Sequence, residues 1–222
     1  MYPFFKRFLD VLVSLLLIIL ILPIFISLIV LLRFSGEGEV FYRQERVGKG
    51  GQTFHILKFA TMLKDSLNLG TGAVTLRNDP RITKIGKFLR ITKLNELPQI
   101  FNVLKGDMTL VGPRPLLVTS FSKYSIEAQD AIKKSVPGIT GIGSIMFRDE
   151  EKMVTKAKEN GIDPKEYYRD VIFPYKGKLE QWYHLNKSMI VDIKILVLTA
   201  IIVFNSSYNK AHLWFKGLPS KL

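Results

Sequence analysis

Apolar residues fall in two regimes along this chain. From Val11 to Leu32 the sequence is almost wholly apolar, interrupted only by Ser14, Pro23 and Ser27. That run is about the length needed to cross a hydrocarbon core. It ends in Leu31-Leu32-Arg33-Phe34, which offers no small-residue cleavage site, so it predicts a retained anchor and not a removable signal peptide. Pro23 removes one helix hydrogen bond and disfavours helical geometry at Leu22. Lys6 and Arg7 precede the run, and Arg33, Arg43, Arg46 and Lys49 follow it, so both ends carry the basic flank of a cytoplasmic side. The residues alone leave two forms open: a helix broken at Leu22-Pro23 that enters and leaves on one face, or a kinked helix that crosses once.

Beyond the anchor the apolar positions come in short runs. Val40–Val47 and Gln52–Phe59 read as strands joined by the turn Gly48-Lys49-Gly50-Gly51. Asn68–Asp79 reads as a loop. Ile82, Ile85, Phe88 and Leu89 fall at helical spacing. A second short helix is expected from Asn95 to Leu104, with Pro98 in its first turn and Gly106 as its stop. Gly112–Pro115 and Pro137–Gly143 read as loops with a helix between them. Lys152–Asn160 predicts a polar helix ended by Gly161, and Pro164 opens another. Ser188–Phe204 carries Asp192 and Lys194, which argues against a buried span and for a helix packed on the domain or lying at a membrane surface.

Charge narrows the partners. The 222 residues carry 32 Lys+Arg against 19 Asp+Glu, a net of +13, and there is no cysteine. Disulfides and thiolate metal sites are therefore excluded. The positive excess calls for nucleic acid, anionic lipid or phosphorylated substrates, and the anchor favours the last two. No basic–aromatic alternation of a base-stacking surface is evident, so nucleic acid is not an expected partner.

The candidate chemistry centres on Asn95-Glu96. Read as the start of a helix, the pair would meet free backbone N–H groups that suit phosphate or carboxylate. Arg90, Lys93 and Arg114 lie close in sequence, the last in a stiff Gly-Pro-Arg-Pro loop, and arginine matches phosphate oxygens with two parallel hydrogen bonds. A carboxylate among such cations can hold a metal or attack phosphorus. Asn95 is equally readable as a helix cap beside a dipole-stabilising Glu. His55, His184 and His212 are too scattered for a metal cluster, and Asp149-Glu150-Glu151 reads as a solvated helix start.

The order of motifs is more telling than any one of them. After the Pro-broken anchor come Leu57-Lys58-Phe59-Ala60-Thr61-Met62, Asn78-Asp79-Pro80-Arg81-Ile82-Thr83, Leu89-Arg90, Asn95-Glu96-Leu97-Pro98-Gln99, Gly106-Asp107-Met108 and Gly112-Pro113-Arg114-Pro115. Pro137-Gly138-Ile139-Thr140-Gly141 and Ser188–Lys194 complete the series. From about Phe5 to Ile195 the chain resembles the bacterial sugar transferase family, the monotopic polyprenyl-phosphate phosphoglycosyl transferases. The resemblance implies an α/β fold, mostly helical with a small β-hairpin. It implies a re-entrant anchor broken at Leu22-Pro23 (residues 1–35), a cytoplasmic catalytic domain with membrane-surface amphipathic helices (36–205) and a basic C-terminal tail (206–222).

The implied reaction moves a sugar 1-phosphate from a UDP-sugar to undecaprenyl phosphate at the cytoplasmic face of the bacterial inner membrane, releasing UMP and starting a glycan. In the family an acid at the place of Asn95 attacks the β-phosphate, the acid matched by Glu96 helps hold Mg²⁺, and Lys58, Arg90, Arg114 and Arg148 match cations that meet the phosphates. Asp192 is a further candidate, or else a structural partner of Lys194 or of an arginine. Membrane lipids are expected partners, and a homodimer is an open expectation. Asn95 departs from the pattern, since an amide lacks the charge of an ionised attacker. Four readings follow: Glu96 attacks or the transfer is direct; Asn95 deamidates; the residue is an engineered Asp-to-Asn change; or the chain is an impaired homologue that binds without turnover.

Overall fold

The structure, a computed structural model, describes residues 1–66, 79–205, 208 and 210–220. Helix α1 spans Tyr2–Arg33, and strands β1 (Phe41–Val47) and β2 (Thr53–Phe59) follow. Next come α2 (Lys84–Ile91), α3 (Gln99–Lys105), β3 (Thr109–Val111), α4 (Val118–Phe121), α5 (Ile126–Lys133) and β4 (Gly138–Thr140). Then follow α6 (Ile142–Met146), α7 (Glu150–Glu159), α8 (Pro164–Tyr167), α9 (Phe173–Asn186) and α10 (Met189–Phe204). The protein is thus mostly helical, with two small two-stranded sheets among the described residues. Of the loop expected at Asn68–Asp79, all but Asp79 lies outside the described residues.

Helix α1 is 32 residues long, with a mean hydropathy of 3.4 over its most apolar window, enough to cross a membrane by length and composition. It does not end at Leu22-Pro23. Pro23 has no N–H to give, so one rung of the ladder is missing, and the helix carries on past it. Ser27 Oγ then donates to the Pro23 carbonyl at 2.9 Å.

The chain forms two compact units that do not follow chain order. One, here the hairpin unit, comprises residues 11–44 and 55–105. Its core is built from Phe25, Leu28 and Leu32 of α1 with Phe59 and Leu89. Phe25 meets the Phe59 ring at 5.0 Å and Phe101 at 5.6 Å, so the last third of α1 is packed against protein. Leu15, Leu16, Ile19 and Leu20 are exposed instead. Thr83 caps α2 by accepting from Gly86 N at 2.9 Å. Asp79 takes the Arg81 guanidinium with both oxygens, at 2.8 and 2.5 Å, which closes the turn before α2.

The other, the helical unit, comprises residues 1–10, 45–54 and 106–222. Val47, Phe121, Tyr124, Ala128 and Ile132 form one core cluster. β3 and β4 pair in parallel, Thr109 opposite Gly138 and Val111 opposite Thr140. Pro137–Gly143, expected as a loop, thus contains a strand; three residues are too few to show a period. The close approach itself demands glycine: a Cβ on Gly138 would stand 2.1 Å from the Gly112 nitrogen. Ahead of α9, residues Tyr168–Ile172 form a π-helical turn, where Pro174 cannot supply the donor that the α register requires. The described part of the C-terminal segment packs on α9: Phe215 meets Trp182 edge-on at 5.5 Å, and Tyr175 donates to the Pro219 carbonyl.

Candidate functional site

In the hairpin unit, Asn95 and Glu96 lie in a 3₁₀ turn, Leu94–Glu96, and not at the start of the helix expected from Asn95. The α-helix begins at Gln99. Lys93, before the turn, has φ 61° and is the one non-glycine residue with positive φ among the described residues. This left-handed residue redirects the chain leaving α2. Asn95 is therefore no cap. Its Oδ1 is buried and has no hydrogen-bond partner among the described residues.

Glu96 Oε1 lies 3.2 Å from Lys58 Nζ, both side chains mostly buried. Lys58 is presented by β2, and β2 is pinned by an asparagine of α3. Asn102 Nδ2 donates to the His55 carbonyl at 2.8 Å, and its Oδ1 accepts from Leu57 N at 3.0 Å. The amide thus pairs with β2 as a neighbouring strand would. Sequence reading missed Asn102; the signal was a polar residue on the buried face of a helix whose neighbours Ile100 and Val103 are core. Arg90 occupies the last turn of α2, partly exposed.

In the helical unit, Arg114 is exposed on a firmly tethered loop. Gly112 N donates to the Thr140 carbonyl, and Gly138 N donates to the Pro113 carbonyl, at 2.9 and 2.8 Å. Arg46 donates to the Pro115 carbonyl at 3.2 Å. Arg148 lies between α6 and α7 and reaches its own neighbour, Asp149, at 2.9 Å. That hydrogen bond holds the Asp149 carboxyl below the usual carboxylate range.

Asp192 is a buried structural hub. Tyr2 and Lys6 donate to Oδ2 at 2.9 and 2.5 Å, and the Tyr183 hydroxyl reaches Oδ1 at 2.8 Å. The expected partners, Lys194 or an arginine, are not the ones used; Lys194 donates to the Trp214 carbonyl. Lys6 is supplied by the first turns of α1, which a reading of the anchor as an apolar run could not foresee. Asp10, one turn further, accepts from Thr109 Oγ1 and Leu110 N at 2.6 and 3.1 Å. Among the described residues there is no group of three or more His, Cys, Asp or Glu able to hold a metal.

Taken each by itself, the hairpin unit offers a mostly buried lysine–carboxylate pair next to a buried amide oxygen, and the helical unit offers an arginine on a tethered loop and another at a helix junction. A sequence profile of the bacterial sugar transferases matches residues 1–206. The exopolysaccharide production protein ExoY of Sinorhizobium fredii is 36% identical over 165 residues, 68% of this chain and 73% of that protein. The undecaprenyl-phosphate galactose phosphotransferase of Salmonella typhimurium is 33% identical over 214 residues, 90% of this chain and 40% of that protein. The UDP-glucose:undecaprenyl-phosphate glucose-1-phosphate transferase of Escherichia coli K12 is 36% identical over 209 residues, 93% of this chain and 41% of that protein. An uncharacterized sugar transferase of Haemophilus influenzae is similar at 37% identity, and there too the chain spans only 41% of the relative's length. The chain belongs to the bacterial sugar transferase family. Its family and its long apolar helix make it membrane-associated.

Proposed function

We propose that the protein transfers a sugar 1-phosphate from a UDP-sugar to undecaprenyl phosphate, releasing UMP and beginning a lipid-linked glycan of the exopolysaccharide kind. The observation that carries the reading is the Lys58–Glu96 pair next to the buried Asn95 oxygen, which has no partner among the described residues, in a chain of this family. Relatives named for glucose and for galactose are about equally similar, so the sugar is left to experiment.

Glu96 is the carboxylate of the pair and takes the covalent role. One of its oxygens attacks the β-phosphorus; the bond to the bridging oxygen breaks, and UMP leaves with that electron pair. A phosphate oxygen of the lipid carrier then displaces the carboxylate, which is regenerated. Arg90, Arg114 and Arg148 are the cations assigned to the phosphates, and Lys58 orients Glu96. Mg²⁺ fits the donors present: Glu96 and the buried Asn95 Oδ1 are hard oxygens, and this ion is commonly held by one or two carboxylates together with substrate phosphates. When bound it would neutralise charge on the diphosphate.

A re-entrant anchor, with the domain on the cytoplasmic face of the inner membrane, is supported by the basic residues that flank the apolar run at both ends, Lys6 and Arg7 before it and Arg33 after it, since both ends then claim the cytoplasmic side. Pro23 lies within that run and removes one rung of the helix ladder, which is where such an anchor would bend.

The test is UMP release by the full chain in a lipid nanodisc, with UDP-glucose, UDP-galactose or UDP-N-acetylgalactosamine, undecaprenyl phosphate and Mg²⁺. At least one donor should turn over, with a phospho-sugar adduct on the peptide holding Glu96 by mass spectrometry. Silence with every donor, in both the native chain and Asn95→Asp, would sink the reading. Turnover that survives Glu96→Gln would remove Glu96 from the covalent role.

A further inference from the structure

The tetrapeptide Phe147-Arg148-Asp149-Glu150 joins α6 to α7, and both its ends close on one side chain, Lys176 of α9. Lys176 Nζ stands 4.9 Å from the centre of the Phe147 ring and 2.7 Å from Glu150 Oε2. Phe147 is backed in turn by Tyr175, with ring centres 5.4 Å apart. The ion pair is largely buried, its side chains 18% and 25% exposed. Burial holds the Lys176 ammonium below the usual lysine range, while the Glu150 carboxylate beside it works against that. The positive charge of Arg114 also acts on Lys176, as does the Glu180 carboxyl one turn along α9.

Burying such a pair recovers little net stability, because desolvation offsets the attraction. What this pair does is geometric. A ring at residue 147 and a carboxylate at residue 150 fix both ends of a segment whose middle holds Arg148. We propose that Lys176 is a positioning residue: it clamps Phe147–Glu150 and so presents the Arg148 guanidinium to a phosphate of the sugar nucleotide. The proposal rests on the transferase reading above, in which Arg148 meets that phosphate. No catalytic contact is assigned to Lys176 itself.

The experiment measures steady-state UMP release by the full chain in nanodiscs with whichever UDP-sugar of the panel turns over. Lys176→Met is expected to raise KM for the donor about tenfold while kcat changes less than about threefold, the pattern of lost substrate binding. Lys176→Arg, which keeps both the charge on Glu150 and the contact with Phe147, should recover KM to within about threefold. In an Arg148→Ala background, Lys176→Met should change KM less than about twofold, since residues acting as one unit are not additive. Glu150→Gln, which loosens the other end of the clamp, should move KM the same way and carries the test if Lys176→Met does not fold. A native KM for Lys176→Met, or losses that multiply independently of Arg148, would overturn the proposal and leave the transferase reading standing. An unaltered chain that turns over no donor would overturn both.

Discussion

Two polar clusters, one in each unit, look alike by composition and differ in completeness. Around Asp192 both carboxylate oxygens have donors, from Tyr2, Lys6 and Tyr183. At Asn95–Glu96 a lysine meets the carboxylate, while the neighbouring amide oxygen is buried without a partner among the described residues. A satisfied buried network fixes a fold, and an unsatisfied buried group is a standing cost. The first cluster therefore holds the start of α1 in place. The second is left incomplete at the Asn95 oxygen among the described residues.

That contrast is breakable by substituting each acid. Glu96→Gln should lower UMP release about 10³-fold or more, as removal of a covalent residue does, with the melting temperature little changed. Asp192→Asn should do the reverse. It leaves the Lys6 ammonium without its buried partner, a loss of about 3–5 kcal/mol in stability read by denaturant titration. The fraction that stays folded should turn over normally. If Asp192→Asn lowered kcat with stability intact, Asp192 would belong to the site after all.

How much of this was legible follows from the range of each interaction. The anchor, the hairpin, α2, α7 and α10 are written in local patterning: an unbroken apolar run, a Gly-rich turn, helical spacing and caps such as Ser188, which accepts from Val191 N. The ordered motifs around Lys58, Arg90, Asn95-Glu96 and Arg114 identified the family. Three features were out of reach. The β3–β4 pair is too short to leave a period. The turn at Asn95 depends on the left-handed Lys93, whose side chain gives no hint of it. Lys6–Asp192 joins residues 186 positions apart, so no local rule would pair a basic flank of the anchor with an acid on α10.

Glu180 sharpens the comparison from a third direction, as a buried acid with no bonded cation among the described residues. Its Oε2 has no partner among the described residues, and burial pushes its carboxyl up to about 7, with Lys176 pulling the other way. Below the ordinary value of 4.5 both folded and unfolded chains hold the proton, and the group contributes no pH dependence. Between 4.5 and about 7 the unfolded chain has released it while the folded one keeps it, so stability falls as pH rises. Above that the loss is complete, at most about 3–4 kcal/mol given about 1.4 kcal/mol per unit. Glu180→Gln should flatten the denaturation midpoint between pH 5 and pH 8. An unchanged slope would mean that Glu180 is ionised in the fold.

The smallest expected effect is the most discriminating, because it asks whether a complete network can serve the site and not only the fold. Asn102 both donates to the His55 carbonyl and accepts from Leu57 N, one residue before Lys58. Asn102→Ala leaves that donor and that acceptor without their partner, which should cost about 2 kcal/mol. Asn102→Asp keeps the acceptor for Leu57 N and loses the donor, so it should fall between. If the amide merely stapled α3 to β2, both variants would lose stability and retain KM for the donor. Because β2 carries Lys58 toward Glu96, KM should instead rise in step with the number of hydrogen bonds lost, native below Asp below Ala. Stability loss without that ordering in KM would place Asn102 with Asp192, among the residues that hold the fold and leave the chemistry to others.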